Sequence, residues 1–400
     1  MSRGLTVVVT GQTLIERPLP PAATAEEAGL VEAFRAADLA LAGLEVALHG
    51  PWGGWPIRDA TIHTAPTDVL DSLRELGLSG LSLACNHACD LGPPAILATR
   101  REVGRRGFLH AGTGADEREA AAPGFVQTAN GRVALVSVDA SGLPDYACAS
   151  DPRAGLPARP GVHRLRILTE IEVAEADYRR LAQIIEETGH RHRREGRVAA
   201  GHRQPMAEGR LDFHGTTVRR GQRAREHNRP HDVDLERLLA SIRRASGEAE
   251  LVLACLHHHH WAPEWSDTPA WVPPLAHACV EAGAHLFLSH GVPVLQAVEL
   301  YRGRPIFHGL GNLIFQTARP QRYGPAVWEG VAASCTFDAQ GQLVSATLLP
   351  IEAGGPPPLA ARPRIANGSR GEAIRQRLAG LSGRFGTTIE LDSGRLALAG

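Results

Sequence analysis

The segment Leu251–Val252–Leu253–Ala254–Cys255–Leu256–His257–His258–His259–His260 decides how the rest of the chain is read. Its apolar half, Leu251 to Leu256, has the length of a buried strand. Four consecutive histidines follow, then an aromatic segment with Trp261, Trp265 and Trp271. Leu275 to Ala282 reads as a helix stopped by Gly283, and Leu286 to Leu288 as the next strand, which delivers Ser289–His290–Gly291 to its end. A third strand, Pro305 to His308, runs into Gly309–Leu310–Gly311–Asn312. Ligands of open α/β sheets gather outside the carboxyl ends of the strands, so His257, His259, His290, His308 and Asn312 are candidate site residues. Imidazole is both a common metal ligand and a general acid/base near neutral pH. A solvated loop is the competing reading of four histidines in a row; His290 at the neighbouring strand end favours a site.

Working outward, strands and helices alternate, which predicts an α/β layered fold. Leu5 to Thr10 is a strand ending at Gly11–Gln12, Glu26 to Ala37 a helix, and Leu39 to Leu44 a strand presenting Glu45. Thr67 to Leu76 is an amphipathic helix closed by Gly77. The short strand Leu81 to Ala84 delivers Asn86, His87 and Asp90; Val133 to Val138 ends in Asp139. From Gly189 to Asp232 the composition turns to Arg, His and Gly with few core residues, which predicts a mobile surface insertion in a domain spanning residues 1–350. A Pro-rich linker, Gly354 to Pro363, leads into a C-terminal extension over 351–400.

Composition narrows the function. All 42 basic residues are Arg, and a chain without Lys cannot anchor pyridoxal phosphate as a Schiff base or build a P-loop. A net charge of −1 gives no electrostatic case for nucleic acid or an anionic membrane as partner. The six Cys lack zinc-type spacing and fall largely in apolar runs, as packed thiols do. The first ten residues lack the character of a signal peptide, and no apolar run approaches a membrane span. A soluble, cytoplasmic protein is the expectation.

Gly43–Leu44–Glu45, Ala84–Cys85–Asn86–His87 with Asp90–Leu91–Gly92, Leu256–His257, His290, and Gly303–Arg304–Pro305–Ile306 through Leu310–Gly311–Asn312 together resemble the CapA family. That family is named for poly-γ-glutamate capsule synthesis and is similar to the calcineurin-like metallophosphatases. The resemblance covers Leu5 to Pro350. It implies a central β-sandwich flanked by helices, with metal at the strand ends. Two departures stand out. The superfamily's first strand ends in Gly-Asp, where this chain has Gly11–Gln12, and a second His expected shortly after His290 is replaced by Val292–Pro293. Both losses fall on one of two metals. The resemblance thus implies one divalent ion (Ca²⁺, Mn²⁺, Zn²⁺ or Mg²⁺) with Glu45, Asn86, His257 and His290 as candidate ligands.

The pattern is further similar to the CapA-like epimerases of lasso-peptide biosynthesis, which invert a C-terminal Trp of a precursor peptide. Inversion at Cα needs one group to remove the proton and another to return it on the opposite face. The candidate pairs are His87 with Asp90 or Asp139, and His259 or His290 with Asp267. Trp261, Trp265, Gln12, His308 and Asn312 are candidate substrate contacts. A metal-dependent hydrolase of phosphoesters or peptide-like bonds is the alternative, and a non-catalytic binding protein on the same scaffold a third.

Overall fold

The computed structural model describes residues 4–58, 61–356 and 361–397. It divides into two compact units, Met1–Leu165 with Val233–Gly400, and Arg166–Asp232.

Two sheets make the larger unit. The first runs Arg364–Ile365, Leu343–Glu352, Glu329–Phe337, Leu5–Leu14, Leu39–Leu44, Gly80–Ser82, Leu109–Ala111, with Asn312–Phe315 also pairing Leu5–Leu14. The second runs Val298–Tyr301, Arg304–Phe307, Leu286–His290, Leu251–His258, Arg132–Ala140, Gly124–Gln127. Alternation along the strands explains the layering. Val7, Val9, Leu39 and Leu41 share one buried cluster with Val133, Leu135, Leu251, Leu253 and Leu288 of the second sheet. The intervening Val8, Ala40 and Ala42 pack instead with Leu30 and Phe34 of helix Ala25–Arg35 and with Leu70, Leu73 and Leu76 of helix Val69–Leu76. This is the α/β sandwich flanked by helices that the resemblance implies.

Parallel pairing puts the strand ends on one side. Leu5–Leu14 pairs parallel with Leu39–Leu44, which pairs parallel with Gly80–Ser82. In the second sheet Asp139, His257 and His290 are register neighbours on three parallel strands. The first strand continues past Thr10, where the sequence pattern stops it, because a bulge lets Gly11 cross the chain at Gly311. A Cβ on Gly11 would lie 2.0 Å from the Gly311 carbonyl oxygen, so glycine is required there.

The smaller unit is a four-stranded sheet, ordered Arg210–Phe213, Thr216–Gly221, Ile167–Ala174, Arg225–Pro230, with helices Glu175–Glu187 and His190–Ala199. The insertion expected from Gly189 thus belongs to a unit that opens at Arg166. Gly189, in the left-handed region at φ 65°, joins two helices of that unit and does not mark its edge. Its core is small: Val173, Tyr178, Ile185, Leu211 and Val218. Ion pairs offset the polar composition, among them Arg210–Glu170, Arg219–Glu172 and Arg194–Asp212. The C-terminal residues belong to the larger unit, where Ile374, Leu378, Ile389 and Leu396 enter its core. No described helix is long and apolar enough to cross a membrane.

Candidate metal centre and acid–base site

Strand Leu251–His258 includes the first two histidines of the tetrad, which are 3% and 0% exposed. The solvated-loop reading therefore fails for His257 and His258. His257 Nε2 lies 2.9 Å from Asn86 Oδ1 and 3.8 Å from Glu45 Oε1. Glu45, His257 and His259 each offer a ligand atom, all within 4.8 Å of one another. Glu45 Oε2 is buried without a hydrogen-bond partner, so the carboxylate has a free acceptor inside the cluster. Burial, with Asp139 and Asp90 adding repulsion, pushes its carboxyl up to about 8. His257 is held well below its ordinary value by burial first and by the neighbouring His259 and His290 second. One carboxylate oxygen, two imidazoles and the Asn86 carbonyl match the donor types that divalent ions take. The residues fit a single metal.

Beside this cluster, His87 Nδ1 meets Asp90 Oδ2 at 2.7 Å. Asp90 is fully buried and is fixed twice more, by the His63 amide at 2.8 Å and by Arg58 Nη2 on Oδ1 at 2.7 Å. The orienting carboxylate is thus set before the histidine acts. Burial lowers His87, with Asp90 opposing, which favours a neutral imidazole able to accept a proton. A second pair stands next to it: His63 Nδ1 is 2.6 Å from Glu16 Oε1, and the His63 and His87 rings meet edge-on at 4.4 Å.

The remaining expected residues separate into those that join the site and those that do not. His290 was expected as a ligand; its Nε2 donates to the Thr10 carbonyl at 3.1 Å and its ring lies against Gly43, so it locks the two sheets together. His259 was expected as a base and stands among the metal donors. Asp139 was an alternative partner for His87; its Oδ2 accepts from the Ser141 amide and hydroxyl, and burial pushes it up to about 7. Asp267 is paired with Arg384 and is not with His259 or His290. His308 binds Glu299 at 3.0 Å. Asn312 braces the carbonyls of Pro293 and Val327. Gln12 borders the site, but its Oε1 is occupied by the Gly291 amide at 2.8 Å. Trp261 borders it too, while Trp265 packs on Trp261 and is 42% exposed.

A cavity of about 570 Å³ joins these groups, lined by Glu45, His63, His87, His259 and Trp261, with Leu14, Phe315, Arg319, Arg322 and Tyr323 closing its other side. A second cavity of about 310 Å³ lies on the Arg58, Asn86 and Ser141 side, and His259 lines both. Sequence reading missed His63, Glu16, Arg58, Arg319 and Arg322. None follows a recognisable strand; the only signal was the polar residue type itself.

The sequence profile of the bacterial capsule synthesis protein PGA_cap matches residues 6–317. The uncharacterized protein y4sH of Sinorhizobium fredii is 28% identical over 97% of this chain and 92% of its own. The capsule biosynthesis protein CapA of Bacillus anthracis is 34% identical over 85 residues, 21% of this chain and 20% of its own. Among solved structures, a novel phosphatase of Mycoplasma pneumoniae superposes with a TM-score of 0.43 at 7% identity, covering 89% of this chain and 96% of that one.

Proposed function

The chain belongs to the bacterial capsule synthesis protein PGA_cap family, and within it we propose that the protein is a metal-dependent acid–base enzyme, a peptide epimerase that inverts the Cα of a C-terminal aromatic residue. One observation carries this reading: a carboxylate-held imidazole, His87–Asp90, opens on the same cavity as a single cluster of metal donors.

Glu45, His257 and His259, with Asn86, would hold the ion. A divalent cation there supplies a Lewis acid that polarises a carbonyl oxygen and stabilises charge developing on it. Asp90 fixes the His87 tautomer through Nδ1, leaving Nε2 as the atom that exchanges a proton with Cα. His63, held by Glu16, is too close to His87 to face the other side of the same carbon; the proton added to the opposite face of the enolate would come from solvent water in the cavity, with His87 giving up the proton it took to solvent. The resemblance to calcineurin-like metallophosphatases implies ligands of a second metal where this chain has Gln12 and Pro293, and Gln12 is committed to the Gly291 amide. These features weigh against a two-metal clamp for phosphoester hydrolysis.

The family hydrolase is the second reading, favoured by two arginines on the cavity wall. Incubation of the metal-supplemented protein with a Trp-ended peptide in D₂O separates the two. An epimerase adds one Cα deuteron and forms the D-isomer without cleavage. Bond cleavage, or phosphate release from a phosphoester, with no Cα exchange from any peptide would transfer the assignment to the hydrolase.

A further inference from the structure

We propose that Arg319 and Arg322 form a carboxylate-binding subsite that selects the free C-terminus of a peptide whose last side chain is aromatic. This rests on the epimerase reading and names what that site selects.

The segment after Phe315 carries the subsite. Pro320–Arg322 is a short 3-10 turn preceded by Arg319, and Pro325 opens a second such turn over Pro325–Trp328. Arg319, the residue before the turn, and Arg322, its last residue, both line one cavity. The turn is tied down locally: the Arg319 amide donates to Thr317 Oγ1 at 3.2 Å and the Tyr323 amide to the Pro320 carbonyl at 3.1 Å. Both arginines line the 570 Å³ cavity, and neither guanidinium has a hydrogen bond or ion pair among the described residues. Among the described residues, the only carboxylate lining the cavity is that of Glu45, which belongs to the donor cluster.

Two unpaired guanidiniums at a cavity wall call for an anion, and their planar fork suits the two oxygens of a carboxylate or of a phosphate. The surroundings favour the carboxylate. The same cavity is also lined by Leu14, Trp261, Phe315 and Tyr323, with the Phe315 and Tyr323 rings edge-on at 5.1 Å. An aromatic side chain packs on such a wall. A C-terminal residue has its carboxylate, its side chain and its reacting Cα on one atom centre, so anchoring the first two presents the third.

The test is calorimetric binding to the full-length protein. N-acetyl-glycyl-tryptophan, its C-terminal amide and phenyl phosphate are the probes. The acid should bind at least tenfold more tightly than the amide. The double variant R319A/R322A should lose that preference, with amide binding and melting temperature unchanged. Acid and amide binding alike, no binding of the acid, or an unaltered preference in the variant would each overturn the subsite. Tighter, arginine-dependent binding of phenyl phosphate would overturn the carboxylate assignment. The two readings fail separately. Arginine-dependent acid binding without Cα exchange removes the epimerase and leaves the subsite; equal exchange on acid and amide removes the subsite and leaves the epimerase.

Discussion

Glu45 is buried with one carboxylate oxygen unpartnered beside His257 and His259, and the consequence can be measured. Glu45→Gln keeps the shape and removes the charge, so metal affinity should fall by at least tenfold while the fold persists. Elemental analysis after dialysis should show about one equivalent or less for the native protein and a marked loss for the variant. His87 makes a different demand. In the proposed mechanism it would face one side of the substrate carbon, so His87→Ala should slow proton removal from one stereoisomer more than from the other, by roughly 10²–10⁴-fold for the affected isomer. His259→Ala, removing a ligand, should slow both alike. Exchange from L- and D-ended peptides, measured separately, checks both; equal losses in His87→Ala would make that histidine scaffolding. At this scale the sequence singled out Glu45, Asn86, His87 and His257 because each stood at a strand end, and the structure brings them near one another. The sequence misled where such a residue is spent on the scaffold. His290 serves the Thr10 carbonyl and His308 serves Glu299, and nothing in residue type separates those uses from ligation.

Elements were read more securely than residues because periodicity reports burial directly. The strand Leu39–Leu44 and the helix Val69–Leu76 stand close to where apolar spacing puts them. The first strand ran longer than its pattern, because the bulge at Gly11 depends on a partner near Gly311 that local sequence cannot show. The smaller unit was legible as a compositional change but not as a sheet, since cross-strand ion pairs replace the apolar alternation that marks a strand. Its five-residue core predicts weak cooperativity: amides of Arg166–Asp232 should exchange hydrogen faster than those of Leu251–His258, by orders of magnitude under native conditions. Protection equal to that of the central strand would contradict this.

Two histidines outside the site tie element packing to pH. His163 Nδ1 donates to the Ser137 carbonyl at 2.9 Å while its Nε2 is buried without a partner, and the Val252 amide donates to His285 Nδ1 at 3.1 Å. Burial lowers both to about 4. With folded values below the unfolded 6.5, the unfolded chain takes up protons first. Stability is complete above pH 6.5 and falls as pH drops toward 4, by about 1.4 kcal/mol per pH unit for each group. Urea titrations between pH 7 and pH 4 should show this contribution to the slope, and H163N/H285N should reduce the slope by that amount, the other buried histidines keeping theirs.

The molecule as a whole closes on its own beginning. Leu5–Leu14 lies between Leu39–Leu44 and Glu329–Phe337, and the hydroxyls of Thr6 and Thr336 meet across 330 positions of sequence. On the ribosome that strand has one neighbour for nearly the whole of synthesis. At about 5–20 residues per second, roughly 15–65 seconds separate emergence of the first strand from emergence of the strand that covers its other edge. During that wait an apolar strand edge is open, a template for pairing with other nascent chains. Stalled chains ending near residue 320 should therefore be protease-sensitive and bound by chaperones, whereas chains extended past Glu352 and clear of the exit tunnel should become resistant in one step. A gene for this protein truncated late would yield not a smaller enzyme but an aggregate.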